Sequence, residues 1–420
     1  MRTISQQTVI VIGAGPAGMM AAIQAAENKK NKVIILDKMD EAGLKLLITG
    51  KNKCNLTHSV NKTEELMEGY PSGSQFLNSS FSRFASKELL AFFETRGVPC
   101  KEERGKRMFP VSEKASDVRN ALLKELSKKN VTIKLNSPVM EIITENNKVK
   151  AIRTGQKEII NADKIILAAG GMTYPWTGST GDGYMFARKL GHNIIPPRPS
   201  LVSLEILQTQ ISFALEGLAL KNVKAILKHD NKVISEKLGE MVFTSYGISG
   251  PIILYLSRKA VNILAEKKGE VTMSLDLKPA LSKDKLAAKF NADLDKNKKR
   301  IIKNMLEEYL PQKMITVLLS EANVPADKQC CQISSKDKSK IIDLIKSFNL
   351  TITKPRGMSE AEVTQGGIDL KEVEPKTMES KIISGLYFAG EILDIDGFIG
   401  GYNLQAAFST GFTAGKHIAN

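Results

Sequence analysis

Thr8-Val-Ile-Val-Ile-Gly-Ala-Gly-Pro-Ala-Gly18 is the stretch whose reading decides the fold. Residues 9–12 form an unbroken apolar run rich in β-branched side chains, the pattern of a strand covered on both faces in a parallel sheet. Gly13, Gly15 and Gly18 follow at the spacing G-x-G-x-x-G, and an Ala-rich helix is predicted from residue 19 to residue 26. Gly13 permits a tight turn, Gly15 lets the backbone approach a pyrophosphate, and Gly18 lets helix and strand pack closely. Ala14, Pro16 and Ala17 complete the turn, and the helix N-terminus offers N–H groups and partial positive charge to phosphates. A second strand is predicted over residues 32–36, ending at Asp37 with Lys38 beside it. An acid about 20 residues beyond the last glycine is placed to accept hydrogen bonds from ribose hydroxyls. A carboxylate there repels a 2′-phosphate, so FAD or NAD suits the turn better than NADP.

The 420 residues suffice for two or three domains with a large core. A hydrophobic share of 42% and a charged share of 25% exclude a disordered or fibrous chain. No apolar run reaches the roughly 18–20 residues that span a bilayer. Residues 1–8 lead almost directly into the first strand and leave no room for a signal peptide, so a cytoplasmic protein is expected. Cys54, Cys100, Cys330 and Cys331 are too irregularly spaced for a disulfide framework or a zinc site, and the histidines form no H-E-x-x-H pattern. No metal is expected. The net charge of +15 suits attraction to nucleic acid, and equally suits lysines that only solvate the surface.

Beyond Asp37, Gly43 and Gly50 bracket a short apolar segment, and a polar, basic stretch runs to His58. In flavoproteins that open this way, the segment after the second strand runs beneath the cofactor. Lys45, Thr49, Gly50, Lys51, Asn52, Lys53, Cys54 and Asn55 are therefore candidates for contacts with diphosphate, ribityl chain or flavin. Cys54 is a candidate proton donor; the alternative is a buried structural cysteine. Residues 61–130 read as mostly helical, with amphipathic helices over 87–96 and 116–129. Residues 131–135, 139–144, 149–154 and 157–160 read as a β meander, with Val139 among the expected cofactor contacts. Residues 164–171 form a second buried strand whose small residues Ala169 and Gly170 let the backbone close on a cofactor. Thr177-Gly-Ser-Thr-Gly-Asp-Gly183 leads into a helix over 184–190, as a further polar contact or an ordinary glycine-rich loop.

Ile195-Pro-Pro-Arg-Pro-Ser200 marks a domain boundary. Strand-like runs over 201–206, 220–228, 232–238 and 271–275 predict a small barrel or sandwich, with residues 243–251 as a glycine-kinked turn. Residues 281–349 are helical and lysine-rich, the surface that would face RNA. The chain returns at Lys354-Pro-Arg-Gly357, with strands over 363–367 and 385–390 and a last, small-residue helix over 404–418. Gly390, Glu391, Asp394, Gly400, Gly401, Asn403 and Leu404 make a strand, a Gly-Gly turn and a helix N-terminus suited to a pyrimidine edge or ribityl chain.

The ordered set of Gly13 to Gly18, the Cys54-Asn-Leu-Thr57 run, Phe109-Pro-Val-Ser112, Gly170-Gly171, residues 177–183, 247–251 and 363–367, and Gly385-Leu-Tyr-Phe-Ala-Gly-Glu391 through Gly400-Gly-Tyr-Asn-Leu-Gln405 resembles the BaiN/RdsA family of FAD-dependent oxidoreductases, a glutathione-reductase-like branch. Two positions depart from it. Asn52 and Lys53 stand where the family often has glycine and arginine, and Thr244-Ser245 where it often has Thr-His. The resemblance implies an α/β protein with a three-layer, Rossmann-like FAD domain of the two-dinucleotide-fold type. Residues 1–195 and 355–420 would build that domain, with an inserted barrel over 196–280 and an inserted helical subdomain over 281–354. It implies FAD as cofactor, NAD(P)H as transient electron donor, and hydride movement through the flavin. Three functions stay open: reduction of a polarised C=C bond, with a uridine of 23S rRNA as substrate; oxidation or reduction of a small molecule; and non-enzymatic RNA binding with FAD retained.

Overall fold

The computed structural model describes residues 6–60, 62–266 and 269–420. The expectation about a leader segment falls in part on residues 1–5, outside the described residues. The chain divides into two compact units, Met1–Arg198 with Ala361–Asn420, and Pro199–Glu360.

In the first unit a five-stranded parallel sheet has the order Leu386–Phe388, Lys164–Leu167, Gln7–Ile12, Asn31–Leu36, Thr132–Lys134. The opening strand is central: Ile10 lies opposite Ile34 on one side and Ile165 on the other. That position explains why Val9, Ile10 and Val11 are all fully buried and why the strand reads as an apolar run without alternation. The helix Pro16–Ala25 packs on the C-terminal helix Tyr402–Ala419. A Cβ on Gly411 would lie 2.3 Å from the Ala17 carbonyl oxygen, and one on Gly415 2.1 Å from that of Ala21. Small residues therefore bring the two ends of the chain into backbone contact.

Two expectations in this unit need correction. Residues 131–135 are not the start of the meander. Thr132–Lys134 pairs in parallel with Ile34, Ile35 and Leu36 at the sheet edge, because the helix Ala115–Lys128 carries the chain back along the sheet first. The antiparallel sheet holds Val139–Glu145, Lys148–Thr154 and Ile159–Asn161. Within the stretch read as helical, Cys100–Glu103 and Arg107–Pro110 join Thr57–His58 in a three-stranded ribbon. Further on, the proline-rich stretch is an extended strand, Ile194–Ser200, in a two-stranded sheet with Val363–Ile368. Two strands make only edges, so its prolines interrupt no central ladder.

The second unit is a closed six-stranded barrel in the order Leu204–Ile206, Gly247–Ser249, Lys232–Thr244, Ala219–His229, Val271–Asp276, Phe348–Pro355. Gly247–Ser249, expected within a turn, is one of its strands; a Cβ on Gly247 would meet the Leu204 carbonyl oxygen at 2.2 Å. The helices Lys283–Lys296, Gln312–Ala322 and Ser335–Lys346 lie between the fifth and sixth barrel strands in sequence. Their Phe290, Leu318 and Ile345 share one buried cluster with Met273, Leu275 and Phe348 of the barrel. The division expected at residues 280 and 281 is thus a change of secondary structure inside one core.

Candidate functional site

Gly13 turns the chain with φ +107°, and a Cβ there would lie 2.4 Å from the Ala168 carbonyl oxygen. Gly18 is held as tightly, its Cβ position 1.9 Å from the Gly13 oxygen. Both glycines serve packing. Gly15 is different. Nothing lies within 4 Å of its Cβ position, and the residue lines a cavity. Steric crowding within the protein does not require a glycine at this position; a group approaching the backbone from the cavity would. The site fits a pyrophosphate on that ground.

Two helices begin at the same cavity. Gly15 is the N-cap of Pro16–Ala25 and Gly401 that of Tyr402–Ala419, and neither helix has a side-chain cap. Pro16 and Ala17 line the cavity from the first, Asn403 and Leu404 from the second. N–H groups at two helix starts, one from each end of the chain, thus adjoin one space, an arrangement that favours anionic and carbonyl oxygens.

Of the residues marked from the sequence, Asp37, Lys38, Lys45, Thr49, Val139, Ala169, Gly170, Gly390 and Glu391 also line the cavity. Ala14, Gly18, Gly50, Cys54, Asn55, Asp394, Gly400 and Gly401 do not. Each oxygen of the Asp37 carboxylate already accepts a backbone N–H, from Ala14 at 2.6 Å and Met39 at 2.9 Å. Each keeps a second lone pair for a ribose hydroxyl. Asn55, with its amide turned to satisfy both neighbours, accepts the Gly401 N–H at 3.0 Å and donates to the Thr57 carbonyl at 3.2 Å. It ties the loop to the C-terminal helix behind the cavity wall.

Cys54, expected as the proton donor, is fully buried, and that burial pushes its thiol up to about 12. It sits in a run of left-handed residues, Gly50, Lys51, Asn52 and Cys54; Thr49 before that run lines the cavity and Cys54 at its end does not. The structural reading of this cysteine is the one the geometry supports.

The polar chemistry of the cavity gathers at Lys45. Its Nζ donates to Glu391 Oε2 at 2.6 Å and Thr173 Oγ1 at 2.7 Å. Glu391 Oε1 accepts the Thr364 N–H at 2.9 Å and the Thr173 hydroxyl at 3.3 Å. Lys38 donates to Asp182 at 2.6 Å and to the Thr180 hydroxyl, while Thr177, Gly178 and Ser179 of the glycine-rich loop line the wall. Sequence reasoning missed Glu41, Ser137, Pro138, Phe186, Glu362 and Thr410, which also line it. Only Glu362 had a signal, its place immediately before the distinctive Val363 to Gly367 run.

The HI0933-like protein Rossmann domain matches residues 7–417. The chain belongs to the HI0933-like family. Within that family it is 34% identical over 411 residues to the 3-dehydro-bile acid delta(4,6)-reductase of Clostridium scindens, covering 97% of this chain and 98% of that protein. It is 29% identical over 413 residues to the ribosomal RNA dihydrouridine synthase of Haemophilus influenzae, covering 98% of both. Among solved structures, a quinol-fumarate reductase with menaquinol matches with a TM-score of 0.51 at 17% identity, covering 98% of this chain and 71% of that one. That likeness shows a shared fold. The family model describes a Rossmann domain, and the relative at 34% identity is named as a reductase.

Proposed function

We infer that this protein is an FAD-dependent oxidoreductase that reduces a C=C bond conjugated to a carbonyl, with a uridine of ribosomal RNA as its substrate in the cytoplasm. Gly15 carries the inference: it has room for a side chain, lacks one, and lines a cavity flanked by two uncapped helix starts. Gly13, Gly15 and Ala17 would hold the FAD diphosphate, Asp37 the adenosine ribose, and Asn403 and Leu404 the polar edge of the ring system. FAD, when bound and reduced, supplies a hydride equivalent. A reduced nicotinamide is the proposed electron donor; it would bind transiently, since the sequence holds no second G-x-G-x-x-G.

Uridine carries a C=C bond conjugated to a carbonyl, and the name dihydrouridine synthase describes saturating it. The net charge of +15 favours a polyanionic partner. A second reading, a small conjugated enone, is favoured by the higher identity, 34%, to the bile-acid reductase.

Purified protein should be yellow, and anaerobic NADPH should bleach it. Deletion of the gene should remove a dihydrouridine from the ribosomal RNA map. An unchanged map together with RNA-independent reduction of an enone selects the second reading. Protein that is colourless and takes up no added FAD defeats both.

A further inference from the structure

Trp176 is the chain's one tryptophan, and it is 58% exposed. Tryptophan is a highly buried residue on average, so one left this open forgoes the stabilisation that packing would supply. It stands beside the cavity without lining it: Thr177, Gly178 and Ser179, which follow it, are wall residues. The turn that carries it is rigid. Pro175 fixes one backbone angle, and the Tyr174 carbonyl accepts the Thr177 N–H at 2.9 Å and the Thr177 hydroxyl at 2.7 Å. The Gly178 N–H donates to the Pro175 carbonyl at 3.0 Å. Tyr174 takes the left-handed conformation at φ +53°, which a bulky residue adopts only where its surroundings impose it. Its ring meets that of Trp176 edge to face, with 5.1 Å between centres and 87° between planes. Thr173, fully buried, ties the foot of the turn to the cavity, where its hydroxyl accepts the Lys45 ammonium at 2.7 Å. The indole is thus braced on the protein side and open to solvent.

The helix Asp182–Lys189 begins just beyond this loop. Met185, 56% exposed, shares one side of it with the exposed Arg188 and Lys189, three and four residues further on. Neither cation forms an ion pair among the described residues. An open indole and two unpaired cations therefore stand on one short segment beside the cavity. A nucleobase has a π-face for the first, and the phosphates of the same strand suit the others. A small neutral enone offers nothing to the cations.

We propose that Trp176 stacks on an unpaired base of the RNA and that Arg188 and Lys189 hold phosphates of the same strand. This rests on the ribosomal RNA reading above and adds where the strand lies. Because Trp176 is outside the cavity, the stacked base is a neighbour of the uridine that reacts. A base inside a duplex has both faces covered by its own neighbours, so the platform selects single-stranded RNA.

The test uses FAD-loaded wild type, Trp176→Ala, Trp176→Phe and a double variant, Arg188→Ala with Lys189→Ala. Each is titrated with oligouridylate and with the same strand annealed to oligoadenylate. All should load FAD as wild type does, which shows that they fold. Wild type should bind the single strand more tightly than the duplex. Affinity for the single strand should fall about 5- to 150-fold in Trp176→Ala and recover in part in Trp176→Phe. The salt dependence should persist in Trp176→Ala, whereas in the double variant the slope of log affinity against log salt should fall by about 1.4. Since the chain has no other tryptophan, RNA should quench the wild-type indole fluorescence, a signal that a merely structural role would not move. Single-strand binding without quenching, at unchanged affinity in Trp176→Ala, or no tighter than duplex binding overturns the platform and leaves the ribosomal RNA reading standing. Wild type that binds neither RNA overturns both.

Discussion

Gly15 and Gly18 belong to one motif and do different work. The Cβ position of Gly15 is clear to 4 Å, whereas that of Gly18 is 1.9 Å from a carbonyl oxygen. Gly15→Ala should therefore change the stability of the cofactor-free protein by less than about 0.5 kcal/mol while reducing FAD uptake. Gly18→Ala should cost about 2–3 kcal/mol in denaturant unfolding whether or not FAD is present. Another residue-scale effect sits away from the cavity. His192 is buried, with Nδ1 3.2 Å from Glu372 Oε2 and Nε2 3.0 Å from Ser380 Oγ. Burial holds its pKa below the ordinary 6.5, against the opposing effect of Glu372. The unfolded chain then binds this proton more readily than the fold does, so stability is lost as pH falls from about 6.5 toward the lower folded value. Denaturation midpoints should fall across that interval in wild type, and His192→Gln should flatten the slope. At this scale Asp37 was legible because its distance from the glycines carries meaning. Glu362 was not picked out, because its one signal, a place just before the Val363 to Gly367 run, does not by itself tell a cavity acid from a surface acid.

At the scale of elements, the opening strand and the last helix were legible because long apolar or small-residue patterns report burial directly. Thr132–Lys134 was legible as a strand but not as an edge of the parallel sheet, because its sheet is chosen by the helix that precedes it. The contact between Pro16–Ala25 and Tyr402–Ala419 turns two helix starts into one site. Gly411→Leu would drive a side chain into the Ala17 carbonyl, whose oxygen is 2.3 Å from the Cβ position. The cost should be about 3 kcal/mol in chemical denaturation, with loss of FAD uptake because the helix starts separate. Retention of full FAD binding by this variant would show that the helix contact does not build the site.

Across the whole molecule, each compact unit has its own buried cluster, and the chain leaves the first through Ile194–Ser200 and re-enters it through Val363–Ile368, neighbours in one small sheet. Replacing residues 201–360 with a short Gly/Ser linker should leave a folded protein that still takes up FAD, checked by circular dichroism and absorbance. The binding of ribosomal RNA should weaken steeply with added salt in the full chain, as counterion release requires. What the sequence determined alone was local: the turn at Gly13, the burial of residues 9–12 and the small residues of the last helix depend on neighbours a few positions away. The tertiary structure decided which side chains share the cavity. Lys45 and Glu391, 346 residues apart, meet there, and Cys54, close to Thr49 in the chain, is fully buried and does not line it. Such choices depend on how distant segments pack, and spacing along the chain does not encode them.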